Sequence, residues 1–370
     1  MATLLISGDF VNPHTDQFNI DNKLSNIIKS VDYAIINLEG AEYYDNNYNG
    51  IKQVSGTISK LSKLGFKMLL LANNHIADRG KDALQYTIQE INKNNLDYIG
   101  AGLSYNEAAK IKIKNIKGVK IAFINVCEAQ EYGCFHTRKK EFGYYWLMDP
   151  DLEKRIHSLK KIVDKVIVLP HAGLEHYSIP LPEFRILYKR FCDAGADAVI
   201  ASHPHVPQGL EYYNNSLIIY SLGNFFFQDP LWNKKQNQSY SVILNIETSN
   251  EITYDIVYHE LIKDTIYYRN NNEINFNIEE LSSLLESPKY ETEVTRMVNE
   301  SYDSLLNNLY KFALNGVNPN DNIMRKLKNI CKYLLGKSFS DLNKTRRDDL
   351  LLHLVENETY RFLLYEKLDK

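Results

Sequence analysis

The chain has 370 residues, 44% of them hydrophobic and 12% aromatic, which is enough apolar material for one large domain or two smaller ones and argues against disorder. Its formal charge of -3 and isoelectric point near 6.4 exclude a global basic field that would draw nucleic acid. No apolar run reaches the 18 or so residues needed to span a bilayer.

In chain order, the apolar residues 3–6 lead at once into Gly8-Asp9. A cleavable signal peptide takes roughly 15–30 residues, which leaves no room for one, so a cytoplasmic location is expected. Short β-rich runs at 3–7, 33–37, 67–71, 97–99, 120–126, 165–169 and 198–201 alternate with helical patterns at 22–30, 57–64, 81–94, 151–163 and 183–194. Apolar strands separated by helices predict an α/β fold with a mainly parallel sheet covered on both faces. Beyond Pro204 the rhythm changes, and 206–213, 217–221, 240–246 and 253–260 read as antiparallel strands, with Asn214-Asn215 as a hairpin turn. From about Lys263 helical periodicity dominates at 279–286, 290–312, 322–335 and 347–368. The predicted division is therefore a catalytic-type domain over 1–262 and a helical region over 263–370, which either caps the site or joins a homo-oligomer. Gly336-Lys337-Ser338 is not a phosphate loop, because Cys331 stands where its first glycine belongs and no strand precedes it. Cys127, Cys134, Cys192 and Cys331 form no C-x-x-C pair and read as reduced thiols.

The residues at the strand ends carry the chemistry. Asp9 comes after the first strand and Glu39 after the second. Asn74 and His75 come after the third, His171 after a later one, and His203-Pro204-His205 after the last of the series. In a parallel sheet the C-terminal strand ends share one edge, where open α/β folds place their ligands. Carboxylate, amide oxygen and imidazole are ligands suited to Mn, Fe or Zn. Each piece alone has a plainer reading, since a strand-end Gly-Asp is commonly a turn and Asn74 is able to cap a helix. All of them at the same end of successive strands point to a metal centre.

Gly8-Asp9, Asn37-Leu38-Glu39, Asn73-Asn74-His75, His171-Ala172-Gly173-Leu174-Glu175, His203-Pro204-His205-Val206 and Ser221-Leu222-Gly223-Asn224-Phe225, in that order, resemble the CapA family of bacterial poly-gamma-glutamate capsule proteins. That family is similar to the calcineurin-like metallophosphoesterases. The resemblance covers roughly residues 2–260. It implies a layered α/β sandwich and two divalent cations. Glu39 would bridge them, with Asp9 and His205 on the first and Asn74, His171 and His203 on the second. His75 would act as general acid, with Asp78 either orienting it or capping the following helix. Val11 stands where the wider superfamily has a histidine, so the first cation is expected to be held weakly. Arg79, Arg138, Lys139 and Glu175 are the candidates for contacting substrate, the middle two within a long polar connection at 128–146. The implied activity is hydrolysis of a phosphoester in a small phosphorylated or glycan-type substrate. The family name leaves open an accessory role acting on amide bonds, and a metal-holding module without catalysis is the third reading.

Overall fold

A computed structural model describes the chain except for residues 15–17, 46–47, 49, 131–132, 136–140, 229–236, 250, 316–340 and 369–370, and the side chains of 315 and 341–347. Two compact units are present, Met1–Ser287 and Pro288–Lys370. The first runs past the boundary expected after residue 262. Strand Thr265–Tyr268 pairs with Thr253–Ile262, and helix Ile278–Glu286 packs on Leu210–Tyr213, where Ser282 Oγ accepts from Leu210 N at 3.0 Å.

The first unit is a layered α/β sandwich, with two large sheets, and a two-stranded one of Ala101–Gly102 and Gly143–Tyr144, in place of the single mainly parallel sheet predicted. In the larger sheet Ala2–Val11, Tyr33–Leu38, Phe66–Leu70 and Asp97–Ile99 run parallel, in that order. On its other side Ala2–Val11 pairs antiparallel with Gln238–Ile246, which continues into Thr253–Ile262. In the smaller sheet Val119–Cys127, Lys165–His171, Ala198–Ile200 and Ser216–Ile219 run parallel. The antiparallel strands Lys112–Ile116 and Leu210–Tyr213 form its edges. Asn214 and Asn215 make the predicted hairpin turn with φ of 48° and 65°, a region that Asn tolerates better than most residues.

The second sheet was hidden in the sequence for a physical reason. A strand buried on both faces shows the same continuous apolar run whether its second face meets helices or another sheet. Here Leu4, Ile6, Ile35 and Met68 of one sheet share a core with Phe123, Ile167, Leu169 and Ile200 of the other. The alternate residues Leu5, Ala34, Ile36 and Leu69 belong to a separate core with Leu24, Ile28, Ile58, Leu61, Leu84 and Ile91 of the covering helices. Local signals place those helices. The Asp21 carboxylate accepts from Leu24 N at 2.7 Å and caps Asn22–Ser30. Buried Glu42 accepts from Gly56 N and Ile58 N at the start of Thr57–Leu64.

The second unit is helical. Asp341–Glu356 packs on Asn307–Asn315, and Glu358–Leu368 on Lys289–Ser301. The helix predicted over 290–312 is interrupted by a π-helical segment at Tyr302–Leu306. The one predicted over 347–368 breaks at Asn357, whose Oδ1 accepts from Tyr360 N at 2.8 Å and caps the next helix. The helix predicted over 322–335 lies outside the described residues. No described helix is long and apolar enough to cross a membrane.

Candidate metal centre

The C-terminal ends of parallel strands from both sheets meet at one place, and the residues singled out in sequence gather there. Asp9 sits at an irregularity of Ala2–Val11, which beyond it pairs with Asn224–Phe227. Gly8 permits this approach, since a Cβ there would lie 1.9 Å from the Gly223 carbonyl oxygen. The motif segment 221–225 is thus pressed against the strand that carries Asp9. Glu39 follows Tyr33–Leu38, and its backbone is fixed by Gln53, which donates to the Glu39 and Phe10 carbonyls at 2.6 and 2.7 Å. Asn73 ties the neighbouring loops, donating to Leu38 O and accepting from Gly40 N at 2.9 and 3.1 Å. The next residue, Asn74, is thereby aimed at the site. His171 ends Lys165–His171, and His203 and His205 follow Ala198–Ile200.

His203 and His205 both have positive φ, 103° and 61°. Such strain in non-glycine residues costs about 1–3 kcal/mol each and persists where the surroundings over-determine it, as they do at functional sites.

Around these backbones the side chains form a dense polar cluster. The Asp9 carboxylate accepts from Asn37 Nδ2 at 2.7 Å and from His203 N at 3.1 Å. Asn74 Oδ1 lies 3.0 Å from His171 Nε2, and His203 Nδ1 lies 3.1 Å from the same nitrogen. Both Glu39 oxygens are buried and accept no hydrogen bond from the described residues. Instead Oε1 faces His75 Nε2 and His205 Nε2 at 3.9 Å and His171 Nε2 at 4.0 Å. His205 Nδ1 lies 2.9 Å from Asn224 Oδ1, which fixes the ring and turns Nε2 toward Glu39.

The donor set fits divalent cations. Ligands stand about 2.0–2.2 Å from such an ion, so neighbouring ligand atoms round it lie roughly 3–3.5 Å apart. The Asn74–His171–His203 contacts have that spacing. Asp9, Glu39 and His205 each offer a donor atom within 4.8 Å of the others, and Glu175, His203 and His205 do the same. Glu39 Oε1 stands between His205 on one side and His171, the neighbour of Asn74 and His203, on the other.

Electrostatics agree with a site built for positive charge. Burial pushes the Glu39 carboxyl up to about 8 against the pull of His205, with Asp9 adding to the rise. Burial and the neighbouring imidazoles hold His171 and His203 well below their ordinary range, so both rings are neutral and able to ligate. Burial alone would lower His205 too, but Glu39 and Asp9 outweigh it and raise the ring to about 10.

His75 differs from the buried ligands. Its side chain is 23% exposed, and its Nδ1 is held by Asp78 Oδ2 at 2.7 Å. Burial opposes charge on this ring, yet Asp78 and then Glu39 raise it overall. Glu175 Oε1 stands 3.7 Å from His203 Nε2. The Arg79 guanidinium lies over the Tyr43 and Tyr48 rings at 5.1 and 5.5 Å, and its Nη1 is buried without a partner among the described residues. Arg138 and Lys139 lie outside the described residues. Val11 is buried within its strand. Sequence reasoning misses Asn37 and the amide of Asn224 that binds His205. Both lie inside the motifs quoted, and only the three-dimensional pairing reveals what they touch.

Residues 6–229 match the model of the family described as bacterial capsule synthesis protein PGA_cap. This chain belongs to that family. It is 32% identical over 246 residues to the PGA biosynthesis protein CapA of Bacillus subtilis, a match covering 64% of each chain. Against the capsule biosynthesis protein CapA of Bacillus anthracis it is 35% identical over 188 residues, 50% of this chain and 45% of the other. The match thus spans less than two thirds of either relative. Among solved structures, Haemophilus influenzae NAD nucleotidase is similar with a TM-score of 0.43 and 13% identity, over 94% of this chain and 60% of that one. The 5'-nucleotidase of Candida albicans has a TM-score of 0.43 and 10% identity, over 82% and 58%.

Proposed function

We propose that the chain is a metal-dependent hydrolase of the phosphoesterase type, acting on a small phosphorylated or glycan-type substrate in the synthesis of a bacterial capsule or surface polymer. One observation carries the reading. Glu39 buries two carboxylate oxygens without a hydrogen bond from any described residue, ringed by His75, His171 and His205. A buried carboxylate left so costs several kcal/mol unless a cation compensates it. Family membership supports the setting in capsule synthesis.

Asp9, Glu39 and His205 would hold one divalent ion, and Glu39, Asn74, His171 and His203 a second, with Mn, Zn or Fe suited to the donors. When bound, the ions supply positive charge against a developing phosphoryl-type transition state and activate the attacking water. The protein does the rest. Asn37 and Asn224 fix the Asp9 carboxylate and the His205 ring. His75, held at Nδ1 by Asp78, presents Nε2 to donate a proton to the leaving oxygen. Arg79 supplies a cation beside that loop for an anionic substrate group.

The relatives' names, which speak of PGA and capsule biosynthesis, suggest a second reading, an accessory in poly-gamma-glutamate assembly that acts on amide bonds. A non-catalytic metal module is disfavoured by His75, because a purely structural site has no use for a partly exposed, carboxylate-supported acid. The test is reconstitution with Mn²⁺ or Zn²⁺ followed by assay against phosphorylated sugars and gamma-glutamyl peptides. The phosphoesterase reading expects turnover of the first group, with His203→Ala losing both turnover and bound metal. Turnover of the peptides alone transfers the case to the second reading, and no turnover with metal fully loaded leaves the binding module.

A further inference from the structure

Two buried residues outside the quoted motifs, Glu128 and Gln130, lie against the cage. We infer that they are positioning residues that decide which end of the Asn74 side chain faces the cations, an inference that rests on the metal-centre reading above.

A carboxamide has two ends of nearly the same shape, and only its oxygen is able to ligate a metal ion. Something must therefore choose the rotamer. A carboxylate is acceptor-only, so it orients whatever amide it meets. Glu128 Oε1 accepts from Gly173 N and from Gln130 Nε2, each at 2.8 Å. That nitrogen also lies 2.7 Å from His203 Nε2, so Gln130 touches a second ligand residue directly. With its nitrogen committed on this side, Gln130 turns Oε1 outward, where it accepts from Asn74 Nδ2 at 3.1 Å. Asn74 in turn has its nitrogen committed, and its Oδ1 is left pointing to His171 Nε2 at 3.0 Å. Orientation passes from an acceptor-only group through two amides to a ligand atom. His75 Nε2 also lies 3.1 Å from Asn74 Nδ2, but an imidazole nitrogen serves as donor or acceptor and does not discriminate between the ends. A reversed Asn74 would set its oxygen against Gln130 Oε1 and its NH₂ against the cation.

The test is a double-mutant cycle on the full chain, reading Mn²⁺ or Zn²⁺ affinity by titration calorimetry. In the natural background, Gln130→Met should lose about 10–100-fold in affinity, the usual cost of removing a group that orients a ligand. Glu128→Gln, nearly the same shape but no longer acceptor-only, should lose affinity in the same direction. In an Asn74→Asp background both ends of residue 74 are oxygens and only the Gln130 contact with His203 remains, so Gln130→Met should lose clearly less affinity than in the natural background. Equal losses in both backgrounds would reduce Gln130 to packing or to its contact with His203 and overturn the inference, as would unchanged affinity in the natural one. Melting curves in chelator establish that each variant is folded. A natural chain that binds no cation overturns the metal centre as well, whereas binding by the natural chain and equal binding by the variants overturns this inference alone.

Discussion

Replacing Glu39 with glutamine separates a cation cage from an ordinary polar core. The unfolded Glu39 carboxyl has its ordinary value of 4.5, while burial, opposed by His205 and reinforced by Asp9, takes the folded one to about 8. At pH 7 the folded, metal-free chain must therefore take up a proton that the unfolded chain does not hold. At about 1.4 kcal/mol per pH unit this costs roughly 3 kcal/mol. The sign follows from the raised value. Stability from this group is full below pH 4.5 and is lost as pH climbs through 8. Glutamine is the neutral isostere, so in chelator Glu39→Gln should be more stable than the natural chain at pH 7 by at most about 3 kcal/mol, reduced by the support His205 loses with the Glu39 charge, the gap shrinking toward pH 5. Saturating Mn²⁺ or Zn²⁺ should reverse the order, because the natural chain gains by binding and the variant lacks the bridging charge. Urea unfolding at several pH values, with chelator and with metal, reads all of this. A stability difference that does not change with pH, or equal stabilisation of both proteins by metal, would refute the reasoning.

His75→Ala should cut turnover by about 10²–10⁴-fold, the range for a general acid, while metal content measured by elemental analysis stays normal. Metal loss equal to that of His203→Ala would remove the separate role given to His75. In Asp78→Asn the support that raises His75 is gone. The ring then loses its proton at lower pH, and the alkaline limb of the rate profile should move to lower pH. An unmoved limb contradicts the assignment. Away from the centre, burial takes His259 down to about 3, with the Ser239 and Ser241 hydroxyls near its nitrogens at 3.4 and 3.2 Å. Because the unfolded ring titrates near about 6.5, stability is lost as pH falls from there toward 3. His259→Gln should abolish about 2–3 kcal/mol of the loss between pH 6.5 and 4.5, read from the difference in acid unfolding between variant and natural chain.

Most strands and helices of the first unit were legible because their cues are local. Asp21 caps its helix and Gly65 ends another at φ 112°, so those boundaries match the reading of the sequence. The number of sheets was not legible, since it depends on which apolar face meets which. Leu4 and Ile6 look the same in sequence as Leu5, yet they meet the other sheet while Leu5 meets helices. Of the site, residues that end strands stood out, because a polar side chain directly after an apolar run has a reason to be there. Gln130 and Glu128 did not. They follow Val119–Cys127 in a polar connection, and their meaning depends on the direction of hydrogen bonds with residues far along the chain. The interrupted C-terminal helices show the same limit, since Asn357 reads equally well as a helix-surface residue until its cap is seen.

The strand Asn224–Phe227 lies beside Asp9, and Asn224 holds the His205 ring. The first residue of the centre to leave the ribosome is therefore among the last to be finished. A nascent chain that has not yet extruded residue 227 has Asp9 exposed at a strand end with its neighbour missing, and no pocket of the right charge in which to trap an ion. At the proposed centre an ion would find its full set of ligands only once both sheets have closed on each other. Bound there, it would act as a clasp on a sandwich already assembled rather than as a seed for it.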